Sequence, residues 1–176
     1  MKLIIGLGNP GKNYEGTRHN LGFFAVDAFV REQGGTWKAD VKRKANVCAL
    51  VLGKEKVVLA KPTTFMNLSG EAVQALASFY KVGHEDILLI HDEMDLVPGR
   101  IQLKPEGGRD AGHNGVASIQ ERLGTKALPR LRIGIGRPEH PNQPTEDYVL
   151  GPLSTENTPS ALDITSKMRD WIEGRV

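Results

Sequence analysis

A chain of 176 residues with 39% hydrophobic and 25% charged side chains has apolar material for one buried core, which excludes a wholly disordered chain or a fibrous repeat. A single cysteine excludes an internal disulfide framework, and a formal net charge of +2 means that any nucleic-acid contact must rest on a local patch. The first apolar run is too short for a signal-peptide core and no other approaches membrane-spanning length, so a cytoplasmic protein is expected.

KLIIGL reads as a short buried strand that Pro10 and the glycines of GNPG terminate. From Leu21, the residues Leu21, Phe24, Ala25, Ala28 and Phe29 recur at helical spacing, with Asn20 available as N-cap and Gly34 and Gly35 ending the helix. Residues 9 to 19 are thereby left as a loop free to carry function. The β-rich runs at 45–52 and 56–60, around Gly53-Lys54-Glu55, predict a hairpin, with Cys48 a buried, inert thiol in its first arm.

KPTTFMN is then a loop, and Val73, Leu76, Ala77 and Tyr80 form an apolar helical face after a Ser69-Gly70 start. DILLIHD is a buried strand whose polar end carries His91 and Asp92, followed by a turn at Val97-Pro98-Gly99 and the strand RIQLK. Glycine-rich EGGRDAGHNG leads into a short helix at 115–123, LRIGIG is a further strand, and the last helix sets Leu162, Thr165, Met168 and Trp171 or Ile172 along one side. Strands alternating with helices indicate one three-layer α/β/α domain over residues 1–176, with a mixed, mostly parallel twisted sheet. The polar clusters fall where strands give way to loops, the edge at which such sheets bind ligands.

Gly6, Gly8 and Gly11 spell GxGxxG, and Asp27 stands at a plausible distance for a ribose contact. A dinucleotide fingerprint requires its glycines to open a helix, whereas KNYEGTRHN has no apolar helical repeat and Asp27 falls inside the first helix. The glycines are better read as allowing a tight turn and close approach to a substrate.

The loops supply Asn9, Tyr14, His19, Asn67, Asp92, His113 and Asn114, all at strand ends or helix starts. Several neutral amides around one pocket suit recognition of peptide amides and of a carbonyl under attack. Taken singly, Asn67 and Asn114 are also compatible with plain N-caps, and Asn9 before proline with turn chemistry. His19 needs a partner to act as a base near neutral pH, and Asp92, ending a buried strand, is the strongest candidate to fix its tautomer. A serine triad is disfavoured, since no GxSxG elbow occurs and Ser69 is explained by a helix start. In HDEMD, His91, Asp92, Glu93 and Asp95 match no familiar metal spacing.

Lys104, Arg109, Lys126, Arg130 and Arg132 gather around the glycine-rich loop and LRIGIG, and Lys42-Arg43-Lys44 forms a second basic run. Either is compatible with a solvated face. The first adjoins the expected cleft and is better placed to neutralise phosphates.

Five ordered blocks carry a resemblance: GLGNPGKNYEGTRHNLG at 6–22, KPTTFMNLSGEAV at 61–73, HDEMDLVPG at 91–99, GHNG at 112–115 and RLRIGIGRP at 130–138. Together they resemble the bacterial peptidyl-tRNA hydrolase family. The resemblance implies a monomeric α/β/α enzyme that splits the ester of prematurely released peptidyl-tRNA, with no metal or other cofactor and no membrane partner. It implies His19 as general base, Asp92 as the residue that stabilises its basic role, and Asn9 as the discriminator between blocked and free aminoacyl groups. It also implies Tyr14, Phe65, Asn67 and Asn114 as substrate and tRNA-end contacts, Lys104 and Arg132 as phosphate contacts, and His113 as a cleft residue.

Two departures stand out. GGRDAGHNG carries an Arg-Asp pair and Ala111 where the family favours small residues. The chain ends at WIEGRV, in which IEGR matches a protease-recognition string, leaving the lid-like terminal helix at about 160–173 open to being incomplete. The competing readings are a metal-dependent peptidase or nucleosidase on a similar scaffold, and a noncatalytic RNA-binding module.

Overall fold

The computed structural model describes residues 1–176. Seven strands, β1 (Lys2–Gly6), β2 (Lys38–Asp40), β3 (Ala45–Leu52), β4 (Glu55–Pro62), β5 (Ile87–Glu93), β6 (Ile101–Lys104) and β7 (Arg130–Gly134), form one sheet in the order β2-β3-β4-β1-β5-β7-β6. Pairing is parallel along β4-β1-β5-β7 and antiparallel at β2-β3, β3-β4 and β6-β7, so only β3 and β6 run against the rest. The mixed sheet arises as expected: β3 and β4 are joined by the two-residue turn Gly53-Lys54, which can only return the chain antiparallel.

The helices are α1 (Leu21–Glu32), α2 (Ser69–Tyr80), α3 (Asn114–Leu123), the short α4 (Thr145–Val149) and α5 (Ala161–Ile172). On one face Ile4, Leu59, Leu88 and Ile90 pack with Phe29 of α1 and with Ile164, Met168 and Trp171 of α5. On the other, Leu3, Ile5 and Leu89 pack with Val73 and Leu76 of α2 and Ile119 of α3. Central strands covered on both faces read as continuous apolar runs, which is why KLIIG and ILLI lack alternation.

Three expectations are corrected. Leu162 is 67% exposed and Ile164 takes the buried position, so the inner stripe of α5 is Ile164, Thr165, Met168, Trp171 and Ile172. This helix packs on α1 and contributes nothing to the wall of the main cavity, so it is a layer of the core rather than a lid. The Gly6 backbone approaches helix α1, not a substrate: a Cβ there would lie 2.3 Å from the Gly22 carbonyl oxygen, and one on Gly22 would lie 2.3 Å from the Leu7 nitrogen. Asp27 in turn binds Lys61 Nζ at 2.6 Å across α1 and β4, well explained without a ribose.

The carboxyl ends of β1, β4 and β5 lie side by side at one edge of the sheet. Their loops, with the N-terminus of α3, supply the polar residues described next.

Candidate active site

A cavity of about 690 Å³ opens at this edge. Asn9, Tyr14, His19, Phe65, Asn67, Asp92, His113 and Asn114, scattered over more than a hundred positions of sequence, all line it. Lys104 and Arg132 do not.

The floor is tied together by amides. Asn20 ends a 3-10 turn, Arg18–Asn20, and precedes α1, yet its side chain does not cap the helix. Its Oδ1 accepts from the Asn9 backbone N–H at 2.8 Å while its Nδ2 donates to the Asn9 carbonyl at 2.9 Å. Both polar groups of the Asn9 main chain are therefore satisfied by one side chain, and Asn9 is held with little rotational freedom. Asn9 Oδ1 in turn accepts from the Met66 backbone N–H at 2.7 Å. Because a backbone N–H can only donate, the Asn9 oxygen is identified and its NH2 is left as the free end.

Asn67 sits in a second 3-10 turn, Met66–Leu68, and Ser69 closes that turn by donating from Oγ to the Met66 carbonyl at 2.8 Å, a local structural role. The cap of α3 is His113, whose Nδ1 accepts from the Val116 N–H at 3.3 Å. The amides of Asn67 and Asn114 are thus not consumed as N-caps, and both side chains stand exposed at the cavity. Tyr14 and Phe65 meet edge to face at the rim, ring centroids 6.3 Å apart, with Phe65 56% exposed.

The centre of the site is one buried carboxylate with two imidazoles. His19 Nδ1 lies 3.0 Å from both Asp92 oxygens, and His113 Nε2 lies 2.9 Å from Oδ1. Burial by itself would raise the Asp92 carboxyl, but the adjacent His113 and His19 outweigh it and hold the group well below the usual carboxylate range. Behind them His91 is fully buried, its Nδ1–H donating to the Asp92 carbonyl at 2.7 Å and its ring 4.8 Å from that of His113. Burial, and then His113, push His91 well below the ordinary imidazole range.

The HDEMD cluster does not converge on a metal. His91 faces the interior, Glu93 pairs with Arg132 at 2.9 Å, and Asp95 pairs with Arg137. His19, Asp92 and His113 do bring ligand-type atoms within 4.8 Å of one another. The His19 Nδ1 and His113 Nε2 nitrogens nearest the carboxylate are committed to hydrogen bonds with it, which leaves the trio a proton-handling arrangement.

The basic group is more divided than its sequence suggests. Arg130 is 2% exposed and donates to the Arg109 carbonyl at 2.7 Å, so it supports the glycine-rich loop from below. Arg132 shares its charge with Glu93 and Gln102, while Lys104 is half-buried beneath Gly108. Both flank the cavity rather than line it. The opposite wall, including Arg137, Glu146 of α4, Val149 and Leu150, was not expected from the sequence, and no local motif marks it.

Residues 3–175 match the family described as peptidyl-tRNA hydrolase. Among curated relatives, the peptidyl-tRNA hydrolase of Geobacillus thermodenitrificans is 47% identical over 176 residues, covering 100% of this chain and 93% of that protein. That of Geobacillus kaustophilus is 48% identical with the same coverage. The crystal structure of peptidyl-tRNA hydrolase from Acinetobacter baumannii superposes with a TM-score of 0.88 at 36% identity, over 99% of this chain and 90% of that one. A match over nearly the whole chain, with the fold and the clustered loop residues in agreement, establishes that the chain belongs to the peptidyl-tRNA hydrolase family.

Proposed function

We propose that the cavity hydrolyses the ester joining a peptide to tRNA, with His19 as general base and Asp92 as its orienting partner. The observation that carries the reading is the pairing of His19 Nδ1 with a buried, anionic Asp92 on the floor of the cavity. Nδ1 donates to the carboxylate, so Nε2 is the nitrogen left with a free lone pair. Nε2 takes a proton from water as the water oxygen attacks the ester carbonyl, and the imidazolium is stabilised by Asp92. The same proton is returned to the departing ribose oxygen. An ester has a better leaving group than an amide, so no covalent enzyme intermediate is needed.

The remaining residues divide by chemistry. The Asn9 NH2, together with the Asn67 and Asn114 amides, supplies neutral polar groups for the carbonyl under attack and for the peptide amides. The Tyr14–Phe65 pair offers an aromatic surface on which an unstacked base at the tRNA end can rest. Lys104 and Arg132, outside the cavity, suit contact with the tRNA phosphates. The protein acts as a monomer in the cytoplasm, needs neither metal nor other cofactor, and folds as one domain.

Purified protein incubated in parallel with peptidyl-tRNA and unblocked aminoacyl-tRNA tests the reading. Release of free tRNA from the first and much slower release from the second is expected. Equal binding of tRNA with and without peptide, and release of neither product, would instead mark an RNA-binding module. Activity on simple peptides that a chelator abolishes would mark a metallopeptidase.

A further inference from the structure

His113 makes two hydrogen bonds of fixed sense. A backbone N–H can only donate, so the contact from Val116 N makes His113 Nδ1 an acceptor. The proton of a neutral His113 then sits on Nε2, which points at Asp92 Oδ1 from 2.9 Å and donates to it. His19 approaches the same carboxylate with Nδ1. The two histidines are therefore opposite tautomers on one carboxylate, their rings 4.8 Å apart.

His113 is anchored through its main chain as well as its ring. Its backbone N–H donates to the Asp110 carbonyl and its carbonyl accepts from Ala117, while the His91 ring packs against its own. Asn114, the first residue of α3, follows directly. A shift of the His113 ring would thus move the Asp92 carboxylate and the start of α3 together.

We propose that His113 is a positioning residue for hydrolysis, acting through Asp92: its Nδ1 cap locks the tautomer whose Nε2–H holds the carboxylate against His19 and in register with Asn114. This rests on the assignment of His19 as general base. The ionisable groups facing the trio are His91 and Glu93 of β5, Arg130 of β7 behind His91, and Tyr14, Arg137 and Glu146 around the cavity.

Two substitutions separate the two bonds. An asparagine amide oxygen falls near the position of histidine Nδ1, and a glutamine amide nitrogen near that of Nε2. His113→Asn keeps the cap and loses the bond to Asp92. Its melting temperature drops because the buried Asp92 loses a partner, kcat on peptidyl-tRNA falls about 10- to 100-fold, the worth of one hydrogen bond to a charged group, and KM changes little. His113→Gln restores the bond at the expense of the cap, so kcat returns towards wild type although the melting temperature again drops.

Nitrogen-15 spectra of the wild-type imidazoles at neutral pH provide a readout that needs no substrate, with His113 protonated at Nε2 and His19 at Nδ1. The reverse tautomer at His113 overturns the inference whatever the reaction. So does His113→Asn with wild-type kcat, or an equal loss of kcat in both variants. Failure of the wild type to cleave peptidyl-tRNA, with both tautomers as stated, overturns the functional reading instead.

Discussion

The Asn9 side-chain oxygen accepts a hydrogen bond of 2.7 Å from the Met66 backbone N–H, which turns the Asn9 NH2 outward as a donor. Asn9→Asp keeps the Met66 contact through one oxygen and replaces the outward donor with a second, negative oxygen. A negative charge there attracts the ammonium of an unblocked aminoacyl group and repels developing negative charge on the carbonyl oxygen. The ratio of kcat/KM for blocked over free aminoacyl-tRNA is therefore expected to fall, along with the rate on the blocked substrate. A lowered rate with an unchanged ratio would leave Asn9 a general role and remove it as discriminator.

His19→Ala is expected to lose roughly two to four powers of ten in turnover, the usual worth of a general base, while substrate still binds. Single-turnover cleavage and an independent binding measurement separate the two effects. Cleavage by the variant at nearly the wild-type rate would take His19 out of its assigned role.

The basic positions are expected to differ from one another. Lys104→Ala should weaken binding of full peptidyl-tRNA and flatten its salt dependence, while a short peptidyl-nucleotide ester is little affected. Arg132→Ala should do the same and also lower the melting temperature, because it strands Glu93, which is 4% exposed and bound to the Arg132 guanidinium. Equal losses by Lys104→Ala on the short and full substrates would place Lys104 in the chemistry instead of on the tRNA body.

His91 gives the fold an acid sensitivity of its own. Its folded form resists protonation, whereas in the unfolded chain an imidazole takes a proton below about pH 6.5. The unfolded state then binds more protons, so stability is intact above that pH and declines as pH falls through it, by up to about 1.4 kcal/mol per pH unit. Asp92, also depressed on folding, adds to the loss only below about pH 4, where an unfolded carboxylate begins to protonate. Denaturant midpoints of wild type and His91→Asn between pH 7 and 5 check this. The wild type should lose stability more steeply, and parallel curves would show that His91 does not set the slope.

The order and type of most elements were legible in the sequence because burial writes itself locally. LIIG and ILLI are apolar runs since helices cover both sides of β1 and β5, and the Gly53-Lys54 turn forces an antiparallel hairpin. The residues of the cavity were legible as a set because strand ends and loop starts at one sheet edge must meet. Their partners were not. Asn20 and Asn114 both stand where an N-cap is expected, and local preference cannot tell that one instead ties down Asn9 and that the other yields its cap to His113. The pairing of Arg132 with Glu93 and the cavity wall supplied by Arg137 and α4 likewise leave no periodic or motif signal. Hydrophobic pattern fixes which face of each element is buried, whereas the polar partners at its end depend on how distant loops converge in three dimensions.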